Sequence, residues 1–227
     1  EKEIHYFSEL EEKQVDGLIF MGNLLSDSLE RAIKASEIPV VLIGSFHQEI
    51  PSVTIDNVKA AREAAGYLLK QGHQRIGMIS GKMKDPIMGK DRLEGYRQAL
   101  DEAGIPWRSE LVVEGGYRFK SGYEGARQLL LLNEIPTAIF VASDEMAIGA
   151  MRAIRENNLD IPDDIAVLGF DNIDMAGKVF PSLTTVGQPM YEMGAIGMRL
   201  LTKYMQGEKV AAAKVVLEHV MIIREST

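Results

Sequence analysis

The sequence predicts an α/β fold, with mostly parallel sheets covered by helices on both faces. Three observations carry this expectation. Short runs of strand length are apolar almost without interruption. Amphipathic stretches with helix-start signals separate them. The two kinds alternate strictly until the final part of the chain. Strands buried on both faces of a parallel sheet need near-continuous apolar runs, and strand–helix alternation is the pattern of helices packed on such a sheet.

The apolar runs lie at 15–21, 40–43, 76–80, 111–113, 138–141 and 165–170. Between them, Asp27 with Glu30 reads as a capping box before an apolar-periodic stretch ending near Ala35. Ser121 with Glu124 reads as a second box, before residues 126–132. Ser143 reads as an N-cap, with Asp144 and Glu145 placed to complement the helix dipole in the first turn. Gly72 and Gly104 fall where glycines end helices. The rhythm breaks after residue 183: the stretches 183–186, 214–217 and 220–223 read as strands, with one helix, 190–205, among them. That helix carries an apolar stripe of Met190, Met193, Gly194, Ile196, Gly197, Leu200 and Leu201. Asp-Asn follows a strand twice, at Asp56-Asn57 and at Asp171-Asn172, a faint echo of two related halves.

Composition bounds the function. The 227 residues hold 25 Lys and Arg against 33 Asp and Glu, a net charge of −8, without any dense basic run. Nucleic-acid binding depends on neutralising phosphates with Lys and Arg, so this piece alone is not expected to hold DNA. The absence of cysteine excludes disulfides and thiolate chemistry and suits a reducing compartment. No apolar run approaches the roughly 20 residues of a membrane span. The chain opens at Glu1 rather than at a methionine, so the lack of a visible signal peptide carries little weight.

Ligands of open parallel sheets bind beyond the carboxyl ends of the strands. The residues there are Gly22-Asn23, Ser45-Phe46, Gly81 to Asp85, Gly115 to Tyr117, Ser143-Asp144 and Asp171-Asn172, with Arg92 shortly downstream at a helix start. Carboxylate, guanidinium and aromatic ring are a usual set for a polyhydroxy ligand: the charged groups take hydroxyls in pairs, and the ring covers an apolar sugar face. Asp and Asn after strands also serve as plain turn formers, and Tyr117 fits a surface turn as well as a stacking platform. Trp107, the only tryptophan, reads as a packing residue. Enzyme signatures are missing. His5, His47, His73 and His219 lie far apart without metal-ligand spacing, and neither a G-x-S-x-G elbow nor a phosphate-binding glycine loop is present. No catalytic residue, metal or cofactor is expected. His73, at a helix end where a cation is favoured, reads as structural.

Several motifs resemble the LacI/GalR family of bacterial transcription regulators. Val15-Asp16-Gly17-Leu18-Ile19-Phe20 is similar to its V-D-G-I-I strand, Gly72-His73-Gln74-Arg75-Ile76 to G-H-x-x-I, and Arg92 to Tyr96 to R-x-x-G-[FY]. Pro136 to Phe140, Asp144 to Gly149 and Gly169-Phe170-Asp171-Asn172 follow the family's P-T-A-[IV]-F, D-x-M-A-x-G and G-[FY]-D, and Pro181 to Val186 with Gln188-Pro189 complete the series. The order is collinear over essentially the whole chain. The stretch Arg199 to Met205 and the closing Arg224-Glu225-Ser226-Thr227 resemble the branch that governs carbon catabolite control.

The resemblance implies a periplasmic-binding-protein type I fold: two Rossmann-like subdomains that close on a ligand, joined by three crossings. It implies residues 1–57 plus 190–217 for the first subdomain and 58–189 plus 218–227 for the second. It places Arg92 and Asp171 on the family's effector-binding positions, Tyr117 on a pocket aromatic, Gln188 at the hinge near the pocket, and Ser143 where relatives carry a ligand-touching asparagine. The expected protein is a non-enzymatic, cytoplasmic homodimer. It responds to a small carbohydrate or sugar phosphate and grips DNA through a helix-turn-helix head that this chain lacks. The family also places a strand, a helix and a strand before residue 15, so the first subdomain is expected to be incomplete. Phe180 stands where catabolite-control members carry a basic residue, so docking of phosphorylated HPr is expected to be weak or absent. Two rivals share parts of this pattern: a sugar-binding solute receptor of a transport system, and a nucleotide-dependent enzyme on a Rossmann-like sheet.

Overall fold

The computed structural model describes residues 2–22, 25–208, 210 and 214–227, so the candidate Asn23 lies outside the described residues. The chain divides into two compact units, Glu1–Ile55 with Pro189–Glu218, and Asp56–Gln188 with His219–Thr227. In chain order the first unit opens with α1 (Lys2–Glu12), β1 (Leu18–Met21), α2 (Asp27–Ala35), β2 (Val40–Ile43) and β3 (Ser52–Ile55). The second unit follows with α3 (Asn57–Lys70), β4 (Ile76–Ser80), α4 (Arg92–Glu102), β5 (Val112–Glu114) and α5 (Phe119–Leu130). It continues through β6 (Ala138–Val141), α6 (Asp144–Glu156), β7 (Ala166–Asp171) and β8 (Thr184–Gly187). Then come α7 (Met190–Met205) and β9 (Lys214–Leu217) of the first unit, and β10 (Val220–Ile222) of the second. None of the described helices is long and apolar enough to cross a membrane.

The first unit holds a four-stranded parallel sheet in the order β1-β2-β3-β9. Every residue of β2 is buried, as its unbroken apolar run requires. Phe7 of α1 and Leu29 and Ile33 of α2 pack on Val40, Leu42 and Ile50 to form this unit's core. Side chains of this size each contribute about 1.5–3 kcal/mol on burial. On α7, burial falls on Met193, Gly197 and Leu201, one residue per turn. The anticipated stripe is therefore narrower within its own unit: Met190 is exposed and a Cβ at Gly194 would meet open space. Gly197 lies under the Ile43 side chain of β2.

The second unit holds a six-stranded sheet in the order β10-β8-β7-β6-β4-β5, parallel except for the antiparallel β10–β8 pair. Helices α5 and α6 touch along their backbones, because a Cβ at Gly122 would collide with the Met146 carbonyl and one at Gly149 with the Phe119 carbonyl. Trp107 packs edge-on against Tyr96 with ring centroids 6.1 Å apart.

Several local expectations need correction. The N-cap of α2 is Ser26, whose hydroxyl accepts from the Leu29 N–H at 3.3 Å; Asp27 is one step inside and Glu30 turns to Lys34 and His47. Two capping-competent residues stand side by side there, and the first one takes the extended conformation a cap needs. Helix α5 begins at Phe119, two residues before the anticipated cap. Ser121 sits within the first turn and donates back to the Arg118 carbonyl at 2.7 Å. Strand β1 starts at Leu18 rather than at residue 15, where its register with Val40 begins. Gly72 and Gly104 do end helices, with φ of 96° and 69°. His73 makes a structural contact, its Nδ1 pairing with the Thr137 hydroxyl at 3.0 Å, and burial lowers its pKa, which opposes the charge that a helix end favours.

Candidate ligand site

The site in the second unit grows from strand ends. Chain leaving β4 passes through Gly81 to Asp85 into a π-helical turn, Pro86–Asp91, which runs directly into α4 at Arg92. Asp85 is fully buried, and its Oδ1 accepts from the Ile87 and Met88 N–H groups at 2.8 and 2.9 Å. This fixes the turn that delivers Arg92 inward. π-turns within helices recur at functional positions.

Arg92 is only 3% exposed. Its Nε donates to Asn57 Oδ1 at 3.0 Å, and its Nη1 donates to the Ala142 carbonyl at 2.5 Å and to Asp171 Oδ1 at 3.4 Å. The guanidinium lies 3.5 Å over the ring of Phe170, a cation–π stack that only a planar cation can make. Burial pulls its pKa down, while the carboxylates of Asp171, Asp85 and Asp144 push it up. Guanidinium stays protonated in proteins, so the site holds a permanent cation.

Asp171 closes β7 with φ of 116°, and Asn172 follows with φ of 56°. Two successive non-glycine residues at positive φ are strained, and such strain persists only where surrounding structure enforces it. Gln188 Nε2 donates to Asp171 Oδ1 at 2.7 Å. Burial pushes the Asp171 carboxyl above its ordinary range, with Arg92 and Gln188 opposing. Among the described residues, both bonds to Asp171 land on Oδ1, and Arg92 Nη2 makes no hydrogen bond. Among the described residues, the buried polar side-chain atoms that lack a partner are Ser45 Oγ and Ser52 Oγ, so Arg92 Nη2 is not sealed from solvent. Asp171 Oδ2 and Arg92 Nη2 are therefore without a hydrogen-bond partner among the described residues.

The other candidates join this network. Tyr117 donates its hydroxyl to Asp85 Oδ2 at 3.0 Å, which leaves its half-exposed ring as the presented surface. Burial and the Asp85 charge push that phenol up to about 12. Ser143 is nearly buried, and its Oγ accepts from Met146 N–H at 3.4 Å, capping α6. Its neighbour Asp144 is fully buried: Oδ1 accepts from the Thr185 hydroxyl at 2.6 Å and Oδ2 from the Ile173 N–H at 2.9 Å. Desolvation raises Asp144 to about 7, against those hydrogen bonds. Gly169 leaves the room for it, since a Cβ there would strike Asp144 Oδ1. The sequence drew attention to Asp144 as a dipole partner; the structure makes it the fastening of the Asp171–Asn172 turn.

Asn57, Phe170 and the Ala142 carbonyl escaped sequence reasoning as partners of Arg92. Asn57 had a signal in its place just past a strand end. Ser45 and Phe46 belong to the first unit, where Lys214 lies 4.6 Å from the Phe46 ring. That unit also gathers Glu30, His47 and Glu49. The Lys34 ammonium bridges Glu30 and Glu49 and holds both carboxyls below their ordinary range. Glu49 N–H donates to His47 Nδ1, which puts the ring proton on Nε2, against Glu30 at 3.0 Å. This cluster is an ion-paired network with its cation already supplied.

Open parallel sheets bind ligands beyond their strand ends, and this one carries a guanidinium–carboxylate pair there, with the Phe170 ring against the guanidinium. A family model described as "Periplasmic binding protein-like domain" matches residues 65–227. The chain is 44% identical over 230 residues to catabolite control protein A of Priestia megaterium, covering 100% of this chain and 69% of that protein. The solved transcription regulator CcpA of Lactococcus lactis superposes with a TM-score of 0.93 at 36% identity, covering 100% of this chain and 83% of that one. A structure described as "transcriptional regulator CelR-cellobiose complex" gives 0.92 at 33% identity, over 99% and 70%. The chain belongs to the LacI/GalR family of transcription regulators, as a ligand-sensing core. A transport receptor is not favoured, because these relatives are regulators.

Proposed function

We propose that this core senses a small carbohydrate, with Arg92, Asp171, Tyr117, Gln188 and Ser143 as its ligand-facing set, and that ligand binding acts by subdomain closure. The observation that carries this reading is the unused pair, Asp171 Oδ2 and Arg92 Nη2, on a charged couple otherwise satisfied. An acceptor beside a donor suits the two hydroxyls of a sugar diol, and charge-assisted hydrogen bonds are the strong ones. A relative solved with cellobiose supports the ligand class. The reading includes a non-enzymatic role in the cytoplasm, a homodimer, and DNA binding through a separate helix-turn-helix head. HPr docking stays outside it: Phe180 is 76% exposed where a phosphate partner calls for a cation, although Arg155 stands 5.3 Å from its ring.

Calorimetric titration of the intact regulator with neutral sugars and sugar phosphates tests this. At least one sugar is expected to bind, and Asp171→Asn is expected to weaken it by about 1.5–3 kcal/mol, roughly ten- to hundredfold. Unchanged affinity in Asp171→Asn would overturn the site assignment.

A further inference from the structure

The closing residues Arg224 to Thr227 belong to the second unit but take no part in the ligand-facing set. They are nonetheless tied to β7 and β8 by several hydrogen bonds. Ser226 is fully buried: its carbonyl accepts from Val167 N–H at 2.8 Å, its hydroxyl donates to the Val167 carbonyl at 2.6 Å, and its Oγ accepts from Thr184 N–H at 2.8 Å. Thr227 shares hydroxyl bonds with Thr184 at 2.8 Å and with Tyr67 at 3.2 Å. The tail is thereby fixed beside the starts of β7 and β8.

That anchorage fixes Arg224. Its backbone N–H donates to Thr184 Oγ1 at 2.9 Å, its Nη1 donates to the Leu183 carbonyl at 2.6 Å, and its Nη2 donates to Asn172 Oδ1 at 2.7 Å. Asn172 is the second of the two positive-φ residues, directly after Asp171. The same turn is held through its amides: Asp144 accepts from Ile173 N–H, and Thr185 Oγ1 accepts from Asn172 N–H at 3.4 Å. An Asn tolerates the left-handed conformation, but nothing intrinsic keeps it there. Arg224 supplies the one charged grip on its side chain among the described residues.

We infer that Arg224 is a positioning residue for ligand binding: through Asn172 it holds the Asp171 carboxylate in its strained, ligand-presenting conformation. This rests on the reading of Asp171 as a ligand contact. A plain staple would affect folding alone. A positioning residue must also change affinity, and must do so through Asn172.

The test uses the intact regulator with cellobiose and glucose 6-phosphate as probes, following whichever the wild type binds more tightly, with thermal unfolding alongside. Asn172→Gly keeps the left-handed conformation open and removes the side chain that Arg224 grips. It is expected to weaken binding about fivefold, within the range of mutations that act without touching ligand, and to leave the unfolding temperature nearly unchanged. Arg224→Gln is expected to weaken binding similarly, and to add nothing further in the Asn172→Gly background. Should Arg224→Gln fail to fold, Asn172→Gly carries the test by itself. If Asp171→Asn weakens binding while Asn172→Gly does not, the positioning role is overturned and the site reading survives. If the wild type binds neither probe, or Asp171→Asn changes nothing, the site reading falls and this inference with it.

Discussion

Arg92→Ala is expected to abolish measurable sugar binding and to destabilise the second unit by about 3 kcal/mol, between the loss of a charged hydrogen bond and the breaking of a buried ion pair. The guanidinium is almost fully buried and simultaneously satisfies Asn57, the Ala142 carbonyl and Asp171. Its removal takes one hydrogen-bond donor from each of three acceptors, of which Asp171 Oδ1 keeps Gln188 Nε2. It also removes the cation whose charge now offsets the Asp171, Asp85 and Asp144 carboxyls. The Asp171 side chain retains 21% exposure, so entering water relieves part of the cost and the upper end of the buried-pair range is not reached. For a protein of this size the loss corresponds to roughly 6–12 °C in the unfolding temperature. Calorimetric unfolding beside sugar titration reads both effects. A variant that melts with the wild type would show that the network is not structural.

Gly122→Val is expected to be at least as damaging, and to act without any contact to the ligand network's charged pair. Helices α5 and α6 meet with backbone against backbone, and a Cβ at Gly122 collides with the Met146 carbonyl, carbon and Cα. Backbone atoms cannot rotate away as a flexible side chain can, so α6 as a whole must move. Overpacking of this kind costs about 1–3 kcal/mol, occasionally more, and a β-branched residue adds a helix penalty of a few tenths. Because α6 begins with Ser143 and Asp144, its displacement also loosens the Asp144 hold on the Asp171–Asn172 turn. Denaturant unfolding of the second unit is expected to shift by about 3 kcal/mol. A shift below about 1 kcal/mol would mean that the helix pair yields more freely than its geometry suggests.

The sequence made the sheet more legible than the site. Runs 40–43, 76–80, 138–141 and 214–217 coincide with β2, β4, β6 and β9. For the first three of these the reason is physical: strands buried on both faces allow no polar interruption. The start of β1 was misplaced, because Val15-Asp16-Gly17 is apolar enough to read as strand while Gly17 is pressed against Leu201 and Met205 of α7. Side-chain chemistry does not say which of two adjacent capping residues takes the extended conformation: at Ser26 and Asp27 the cap is Ser26, not the Asp27 the sequence suggests, whereas at Ser143 and Asp144 it is Ser143, as the sequence suggests. For the site, position past a strand end pointed to Asp171, and resemblance pointed to Arg92 and Gln188. The partners that make Arg92 work were not legible: Phe170 looks like core, and the Ala142 carbonyl has no side-chain signature. The positive φ of Asp171 is likewise not legible, and the residues after it are held by Asp144, Thr185 and Arg224, which lie far apart in sequence.

If a sugar held by Arg92 and Asp171 controls DNA binding by the intact regulator, as proposed, operator affinity must depend on it. Operator affinity measured with and without the bound sugar, for wild type and for Asp171→Ala, tests it most directly. A change of about fivefold or more is expected in the wild type, the usual scale of allosteric coupling, and none in the variant at the same sugar concentration. An Asp171→Ala protein whose operator affinity responds to sugar as the wild type does would contradict it.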